Sequence, residues 1–263
     1  MNKAASNGKL VAGVFGFGGC FGCQLQLLKL EDFPEVCERV EFKEFALTNE
    51  EGGGVEGLDV AFVEGGVLRR EHEKELKLVR EGSKFLVALG SCSCDGGIPA
   101  QKSFLDEGEV ERLAFGGKAR ELNAVSPRPI DEFVVVDYYL RGCPVERTEL
   151  HRVLKDLVHG KTPKPKYVSV CMECKIKENA CFLDKGIPCM GPVSAGGCNA
   201  LCPSHNMPCE NCRGPFDDAN LEAFELVLRN CGLSEEQVKQ KIIRFAGRSK
   251  RFKDYCRLKG WIK

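Results

Sequence analysis

The sequence predicts an α/β protein: an open, mostly parallel sheet with helices, followed by an irregular cysteine-rich domain that ends in helices. Short apolar runs alternate with amphipathic segments up to residue 160, which is the pattern of consecutive strand–helix units. Half of the 16 cysteines then fall between Cys171 and Cys212. A proline-rich basic linker, residues 161–166, separates the two patterns, so we expect domains at 1–160 and 161–263.

The composition narrows the class of protein and its compartment. The chain has 263 residues, and its 38 Lys and Arg balance its 38 Asp and Glu, so no global charge favours nucleic acid or anionic lipid. The N-terminus, MNKAASNGKLVAGVFG, lacks the long apolar core of a signal peptide, and no run reaches membrane-spanning length. We therefore expect a cytoplasmic protein without membrane insertion, in which the thiols are metal ligands or free.

The first strand–helix unit carries a cysteine pair in its turn. Residues 10–17 predict a buried strand, residues 18–23 a glycine-rich turn, and residues 24–31 a helix. The turn holds Cys20 and Cys23 in place of a clean G-x-G-x-x-G, and its glycines let backbone N–H groups approach sulfur closely. The alternative is a plain tight turn with two buried thiols.

The remaining elements continue the alternation. Strands are predicted at 40–47, 58–64, 85–90 and 133–140, with helices at 69–81 and 145–159. Residues 95–132 predict a long irregular excursion beside the site. We expect C-terminal helices at 218–230 and behind a capping box that begins at Ser234. The basic tail from Arg244 predicts a solvated helical face, with a docking surface as the alternative.

Cysteines recur at the ends of the predicted strands. Besides the pair after the first strand, Cys92 and Cys94 follow strand 85–90, and Cys143 follows strand 133–140. Ligands of open α/β sheets gather at the carboxyl ends of the strands. We therefore expect at least four thiols at one edge of the sheet, enough to hold one iron–sulfur cluster.

The stretch from Cys171 to Cys212 is too rich in thiols for ordinary core packing. It opens and closes on C-x-x-C, and its eight cysteines are two sets of four, the number of thiolates that holds one [4Fe–4S] cluster. Two iron–sulfur clusters are the favoured interpretation, with zinc and disulfides as alternatives. In zinc sites two C-x-x-C pairs usually stand about 15–20 residues apart, whereas the pairs here are farther apart and four single cysteines intervene.

Three motifs together resemble the small, electron-transferring subunit of [NiFe] hydrogenases. They are the C-x-G-C of residues 20–23, the Gly-x-Cys-x-x-x-Gly-Gly of residues 90–97, and the Gly-Cys-Pro of residues 142–144. Glu64 also looks like the acidic residue that this family has after an inner strand. The resemblance covers residues 10–214, is closest to the cytoplasmic members such as sulfhydrogenase delta subunits, and implies a flavodoxin-like N-terminal fold.

The resemblance also implies three cysteine sets, each holding one [4Fe–4S] cluster. The proximal set would be Cys20, Cys23, Cys92 and Cys143. The medial set would be Cys198, Cys202, Cys209 and Cys212. The distal set would be Cys171, Cys174, Cys181 and Cys189.

Several positions depart from the periplasmic relatives. Gly19 stands where many of them have glutamate, Cys171 where they have a distal histidine, and Cys202 supplies a fourth medial thiolate. Cys94 is an alternative to Cys92 as a ligand, although the spacing of the glycines favours Cys92. The cysteines outside the sets are predicted to be buried thiols, namely Cys37, Cys231 and Cys256. The four histidines are expected to be structural or exposed, and only His205, between two medial cysteines, has a position that suggests a ligand.

By this resemblance the chain would contain no catalytic residue of its own. It would relay electrons between the nickel–iron site of a separate large subunit and a flavoprotein or iron–sulfur partner. One alternative is a subunit like the 20 kDa protein of complex I, whose members usually have adjacent cysteines where this chain has C-x-G-C and lack the C-terminal cysteines. The other alternative is a zinc-stabilised interaction module without redox function.

Overall fold

The N-terminal part of the chain folds around a five-stranded parallel sheet. The computed structural model describes residues 8–48, 53–104 and 124–262, with residues 112 and 116. The strands are β1 (Leu10–Gly16), β2 (Val40–Phe45), β3 (Leu58–Glu64), β4 (Val67–Arg69), β5 (Ser83–Leu89), β6 (Ala124–Arg128) and β7 (Tyr138–Leu140). The main sheet has the order β2-β1-β3-β5-β7 with parallel pairs throughout, and β4 pairs antiparallel with β6. This is the flavodoxin-like order, with its switch point between β1 and β3.

Helices cover both faces of the sheet, as the amphipathic segments predict. They are α1 (Gly22–Leu28), α2 (Phe33–Arg39), α3 (Arg70–Gly82), α4 (Ser91–Asp95) and α5 (Arg147–Val158). On one face Leu27 of α1 and Leu150 of α5 pack against the strands, and on the other Leu76 of α3 does so. The two apolar faces exclude water from the sheet, which confirms the doubly wound α/β architecture.

The C-terminal part combines short cysteine-bearing turns with a small helical core. Its helices are α6 (Val170–Ile176), α7 (Leu201–Ser204), α8 (Leu221–Asn230), α9 (Glu235–Ala246) and α10 (Lys250–Leu258), with a 3-10 turn at Leu183–Lys185. The capping box at Ser234 is present, with Gln237 as its partner. Phe252 and Tyr255 of α10 are buried in the helical core, so the basic tail is more than a solvated face. None of the described helices is long and apolar enough to span a bilayer.

The predicted strand at 133–140 is wrong over residues 133–137, because only Tyr138–Leu140 is a strand. The side chain of Asp137 takes the place of a backbone acceptor: its Oδ2 accepts from the Leu86 N–H at 2.8 Å. The same oxygen pairs with Arg80 Nη1 at 2.5 Å. The Asp137 N–H still donates to the Leu86 carbonyl oxygen at 3.0 Å, and regular pairing with β5 runs from Tyr138 onward, while Val135 stays 75% exposed.

Other boundaries differ in smaller ways. The excursion at 95–132 contains a 3-10 helix at Ile98–Phe104, strand β6 and a 3-10 turn at Ile130–Glu132, while residues 105–111, 113–115 and 117–123 lie outside the described part. Helix α2 was not predicted, although Pro34 in its first turn is a helix-start signal. The linker at 161–166 has no regular structure, and the division of the chain at residue 160 stays a prediction.

Candidate metal centres

The four cysteines of the proximal set come together at the carboxyl edge of the sheet. Cys20 follows β1, Cys23 lies in α1, Cys92 lies in α4 after β5, and Cys143 follows β7. Burial raises the pKa of the Cys92 thiol to about 12, and the neighbouring thiols of Cys143 and Cys20 add to the rise. Burial also raises the pKa of Cys23, and Cys143 and Cys92 again contribute. Thiols with pKa values this high stay neutral at pH 7, so a bound cation would be needed to hold them as thiolates.

Glycines allow the backbone to approach the proximal thiols closely. A Cβ on Gly97 would lie 2.7 Å from Cys92 Sγ, and a Cβ on Gly22 would lie 3.2 Å from Cys20 Sγ. At Gly90 a Cβ would overlap Cys23 Sγ outright. Gly90 and Gly97 both have positive φ, at +86° and +58°, so a side chain would be strained there as well.

Glu64, at the end of β3, holds the first cysteine turn from inside the protein. Its two carboxylate oxygens accept from the backbone N–H groups of Cys23 at 3.1 Å and Gln24 at 3.0 Å. Burial raises the pKa of this carboxyl, and the two hydrogen bonds oppose the rise. The acidic residue singled out in the sequence thus fixes the start of α1 beside the proximal thiols.

Cys94 points away from this set. Its Sγ is buried and lies 3.4 Å from the carbonyl oxygen of Ala88 and 3.8 Å from that of Leu140, to which it donates. Cys92 instead shares its electrostatic environment with Cys143 and Cys20. This geometry supports Cys92 as the proximal ligand.

The distal set surrounds the start of helix α6. Cys171 and Cys174 lie in that helix, and Cys181 and Cys189 follow in the loops behind it. Burial raises the pKa of Cys171 to about 11, with Cys189, Cys174 and Cys181 adding to the rise. A Cβ on Gly191 would lie 3.1 Å from Cys171 Sγ and 3.7 Å from Cys189 Sγ, so glycine again admits close backbone approach.

The medial set lines a cavity between the two parts of the chain. The cavity measures about 440 Å³, and its walls include all four medial cysteines together with the proximal Cys143. Burial raises the pKa of Cys212 to about 11, and Cys198 and Cys202 contribute. Cys209 is buried beside Cys212, and burial raises its pKa as well. Four thiols around such a space fit a bulky inorganic core.

Neighbouring sets touch through a shared cavity wall and through a hydrogen bond. Cys143, a proximal residue, lines the same cavity as the four medial cysteines. The N–H of Cys209, a medial residue, donates to the distal Cys189 Sγ at 3.2 Å. The three sets therefore form one continuous series, proximal to medial to distal.

The residues outside the sets are placed as follows. Cys256 is buried as predicted, Cys231 is half-buried, and Cys37 is exposed, so its predicted burial is wrong. Cys37 lies on the outer side of the short helix α2, which buries none of its residues fully. His205 is exposed, and its Nδ1 lies 2.9 Å from the carbonyl oxygen of its own turn at Leu201.

Disulfides and zinc, the two alternatives for these cysteines, each require a particular arrangement of side chains. All 16 cysteines lie in the described ranges, and none forms a disulfide there. A zinc ion needs ligand atoms about 2.0–2.3 Å from one point. Among the described residues no three His, Cys, Asp or Glu side chains are spaced to hold a single metal ion, and this includes the three cysteine sets.

Sequence reasoning missed three charged residues that support these sets. Glu173 lies inside the first C-x-x-C of the distal set, and Arg213 directly follows Cys212 and pairs with Glu149 of α5. Adjacency to cysteines was the available signal for Glu173 and Arg213. Glu149 gave none, because its partner is remote in sequence.

Comparison with known proteins gives a consistent result. Residues 20–157 match the family described as NADH ubiquinone oxidoreductase, 20 Kd subunit. Sulfhydrogenase 2 subunit delta of Pyrococcus furiosus is 37% identical over 89% of this chain and 98% of its own length. A vhu subunit of the F420-non-reducing hydrogenase of Methanocaldococcus jannaschii is 30% identical over 88% of this chain and 91% of its own length.

A solved structure extends the comparison to the fold. The actinobacterial-type NiFe-hydrogenase from Ralstonia eutropha superimposes with a TM-score of 0.60, covering 97% of this chain and 93% of the other. The two chains are 15% identical, so this match speaks for a shared fold alone. The shared fold extends through the cysteine-rich region as well as the sheet.

Proposed function

This chain belongs to the family of [NiFe]-hydrogenase small subunits, and on that premise we propose that it relays electrons through three [4Fe–4S] clusters. It is a subunit of a multisubunit oxidoreductase that acts on H2. The electrons pass between the nickel–iron site of a partner large subunit and a flavin or iron–sulfur partner. One observation carries the proposal: twelve cysteines fall into three sets of four that follow one another through the fold.

The residues around each set suit a redox cluster. When bound, a [4Fe–4S] cluster supplies reversible one-electron storage. The thiolates of each set would hold the iron, and the backbone N–H of Cys209, which donates to Cys189 Sγ at 3.2 Å, favours the anionic state of that sulfur. One cysteine of each set is buried, namely Cys23, Cys209 and Cys189, and burial lowers the local dielectric and raises the effect of every nearby charge.

The proposed partners dock where the sets reach the surface. Cys20 and Cys143 are exposed at the edge of the sheet, which is the side we assign to the large subunit. Cys181 of the distal set is exposed in the C-terminal part, which is the side we assign to the flavoprotein or iron–sulfur partner. We assign the complex to the cytoplasm, because a chain with 16 cysteines and no disulfide among them suits a reducing compartment.

Metal analysis of the anaerobically purified native complex tests the proposal. We expect about twelve irons per copy of this chain, four for each set. We also expect a nickel-containing subunit in the same complex and H2-dependent reduction of a viologen dye. Zinc without iron, or a complex without nickel, would contradict the assignment. An iron content of about eight per chain would mean that only two clusters are bound.

A subunit like the complex I 20 kDa protein is the second candidate. The family model that matches residues 20–157 carries that description, and it ends before the cysteines of the medial and distal sets. Those later cysteines and the C-x-G-C of the first turn favour the hydrogenase assignment. The nickel measurement separates the two candidates, because only a hydrogenase large subunit brings nickel.

A further inference from the structure

Arg213 carries a positive charge that is buried beside the medial cysteines. It directly follows Cys212, and the residue is only 4% exposed. Arg213 lines the same cavity as the four medial cysteines. Its charge also opposes the rise that burial causes in the pKa of Cys198 and of Cys212. The medial set therefore lies in the field of this one guanidinium.

The guanidinium is held rigidly by the loop that carries Cys198. Its Nε donates to the carbonyl oxygen of Gly196 at 2.8 Å and to that of Ala195 at 3.2 Å. Its Nη2 lies against Gly197, where φ is +118° and a Cβ would collide with it. Since arginine stays protonated in proteins, this is a fixed charge and not a titrating one.

Glu149 supplies the counter-charge from the other part of the chain. Its Oε2 lies 2.8 Å from Arg213 Nη1, and both side chains are at most 5% exposed. The same Nη1 donates to the carbonyl oxygen of Arg141 at 2.5 Å. The guanidinium thus connects helix α5 and the end of β7 to the loop that carries Cys198, which we call the medial loop. A buried ion pair often contributes little net stability, so stability alone does not explain why this one is present.

We propose that Arg213 positions the medial loop and raises the reduction potential of the medial cluster, and that Glu149 partly offsets this effect. The inference rests on the proposed cluster at Cys198, Cys202, Cys209 and Cys212. Reduction adds one negative charge to the cluster, and a fixed positive charge in a low-dielectric site stabilises that state. Removing the arginine charge therefore lowers the potential, and removing the glutamate charge raises it.

The test is an EPR-monitored redox titration of the anaerobically purified native complex carrying single variants. Arg213→Met should lower the equilibrium constant for reducing the medial cluster at least tenfold, which is 59 mV for a one-electron couple. Arg213→Lys keeps the charge and should stay within threefold of the wild type. Glu149→Gln should shift the potential upward. Opposite signs for the two partners are a result that a purely structural function would not produce.

Controls separate this inference from general damage and from the proposed function. Arg248→Met removes another Arg–Glu pair between the two parts of the chain, with Glu132 at 2.7 Å, and should leave the potential unchanged. If Arg213→Met loses iron, the double variant with Glu149→Gln removes the unpaired buried charge, and its potential should lie below that of Glu149→Gln alone. Equal potentials in Arg213→Met, Arg213→Lys and wild type, with full iron content, would overturn the inference and leave the relay intact. A wild-type complex without medial iron would instead overturn the proposed function.

Discussion

The carboxylate of Glu173 accepts a hydrogen bond from the backbone N–H of Gly197, with 2.9 Å between Oε1 and the nitrogen. Its second oxygen accepts from the N–H of Ala200 at 3.2 Å. These two N–H groups flank Cys198, a medial residue, whereas Glu173 belongs to the C-x-x-C of the distal set. The distal helix therefore supports the medial loop through a single buried side chain.

Glu173→Ala should weaken the medial centre without removing a ligand. It leaves two backbone donors without their acceptor, at a cost of about 2–3 kcal/mol. Glu173→Gln retains one acceptor oxygen and should lose less. Iron content and urea denaturation under anaerobic conditions measure the effect, with Glu38→Ala as an exposed control. Unchanged iron retention in Glu173→Ala on dilution into chelator would contradict this account.

Cys94 and Cys92 should respond differently to substitution. Cys94→Ala removes only a weak buried S–H donor and should keep the full iron content at a cost of about 1 kcal/mol. Cys92→Ala should lose about four irons, because it removes a proximal thiolate. Iron analysis and the EPR spectrum of the reduced protein distinguish the two. Loss of a cluster on Cys94→Ala would make Cys94 the ligand.

Gly97→Ala should disturb the proximal set by more than its backbone strain. An alanine costs about 1–2 kcal/mol in the left-handed region, and its Cβ would also lie 2.7 Å from Cys92 Sγ. Gly160 is the matched control, because its φ is +68° and a Cβ there would meet no atom of the described residues within 4 Å. We expect Gly160→Ala to lower only the unfolding free energy and Gly97→Ala also to lower proximal iron. Equal iron in both variants would show that the close approach is unimportant.

Glu225 should stabilise the C-terminal helices in a pH-dependent manner. Burial alone would raise its pKa, but hydrogen bonds from Tyr255, Arg229 and Lys259 lower the pKa from 4.5 to about 2. A depressed carboxyl pKa contributes stability above pH 4.5 that is lost as the pH falls towards 2. Glu225→Gln should therefore cost about 2 kcal/mol at pH 7 and at pH 5, and less at pH 3.

Urea denaturation of wild type and variant at those three pH values measures this difference. Glu222→Gln, at an exposed position on the same helix, serves as the control. A difference between wild type and Glu225→Gln that stays constant down to pH 3 would rule out the carboxylate as its source.

The parts of the fold that could be predicted are those with strong local patterns. The apolar runs that became β3 and β5 had no competing signal, and the Ser234 capping box is a local motif that forms as written. The run at 133–140 is as apolar as these two, yet the Asp137 carboxylate takes one acceptor position beside β5 and the strand is confined to Tyr138–Leu140. No local pattern reveals that a side chain will occupy a backbone position.

The candidate site could likewise be predicted where its signal is local and not where it depends on remote contacts. Cysteine spacing and the resemblance were enough to group the cysteines, and the structure brings the members of each group together. The choice between Cys92 and Cys94 needed the direction of each side chain after β5. The pairing of Arg213 with Glu149 needed the packing of the cysteine-rich part against α5, which no short-range rule provides.

The backbone N–H that joins the medial set to the distal set has a consequence for electron tunnelling. Electronic coupling decays less steeply through covalent and hydrogen bonds than across a van der Waals gap. The hydrogen bond from Cys209 N–H to Cys189 Sγ, at 3.2 Å, connects these two sets without a through-space jump. Its donor is a peptide group, which every substitution of Cys209 except proline retains. The connection between these two sets is therefore a property of the main chain.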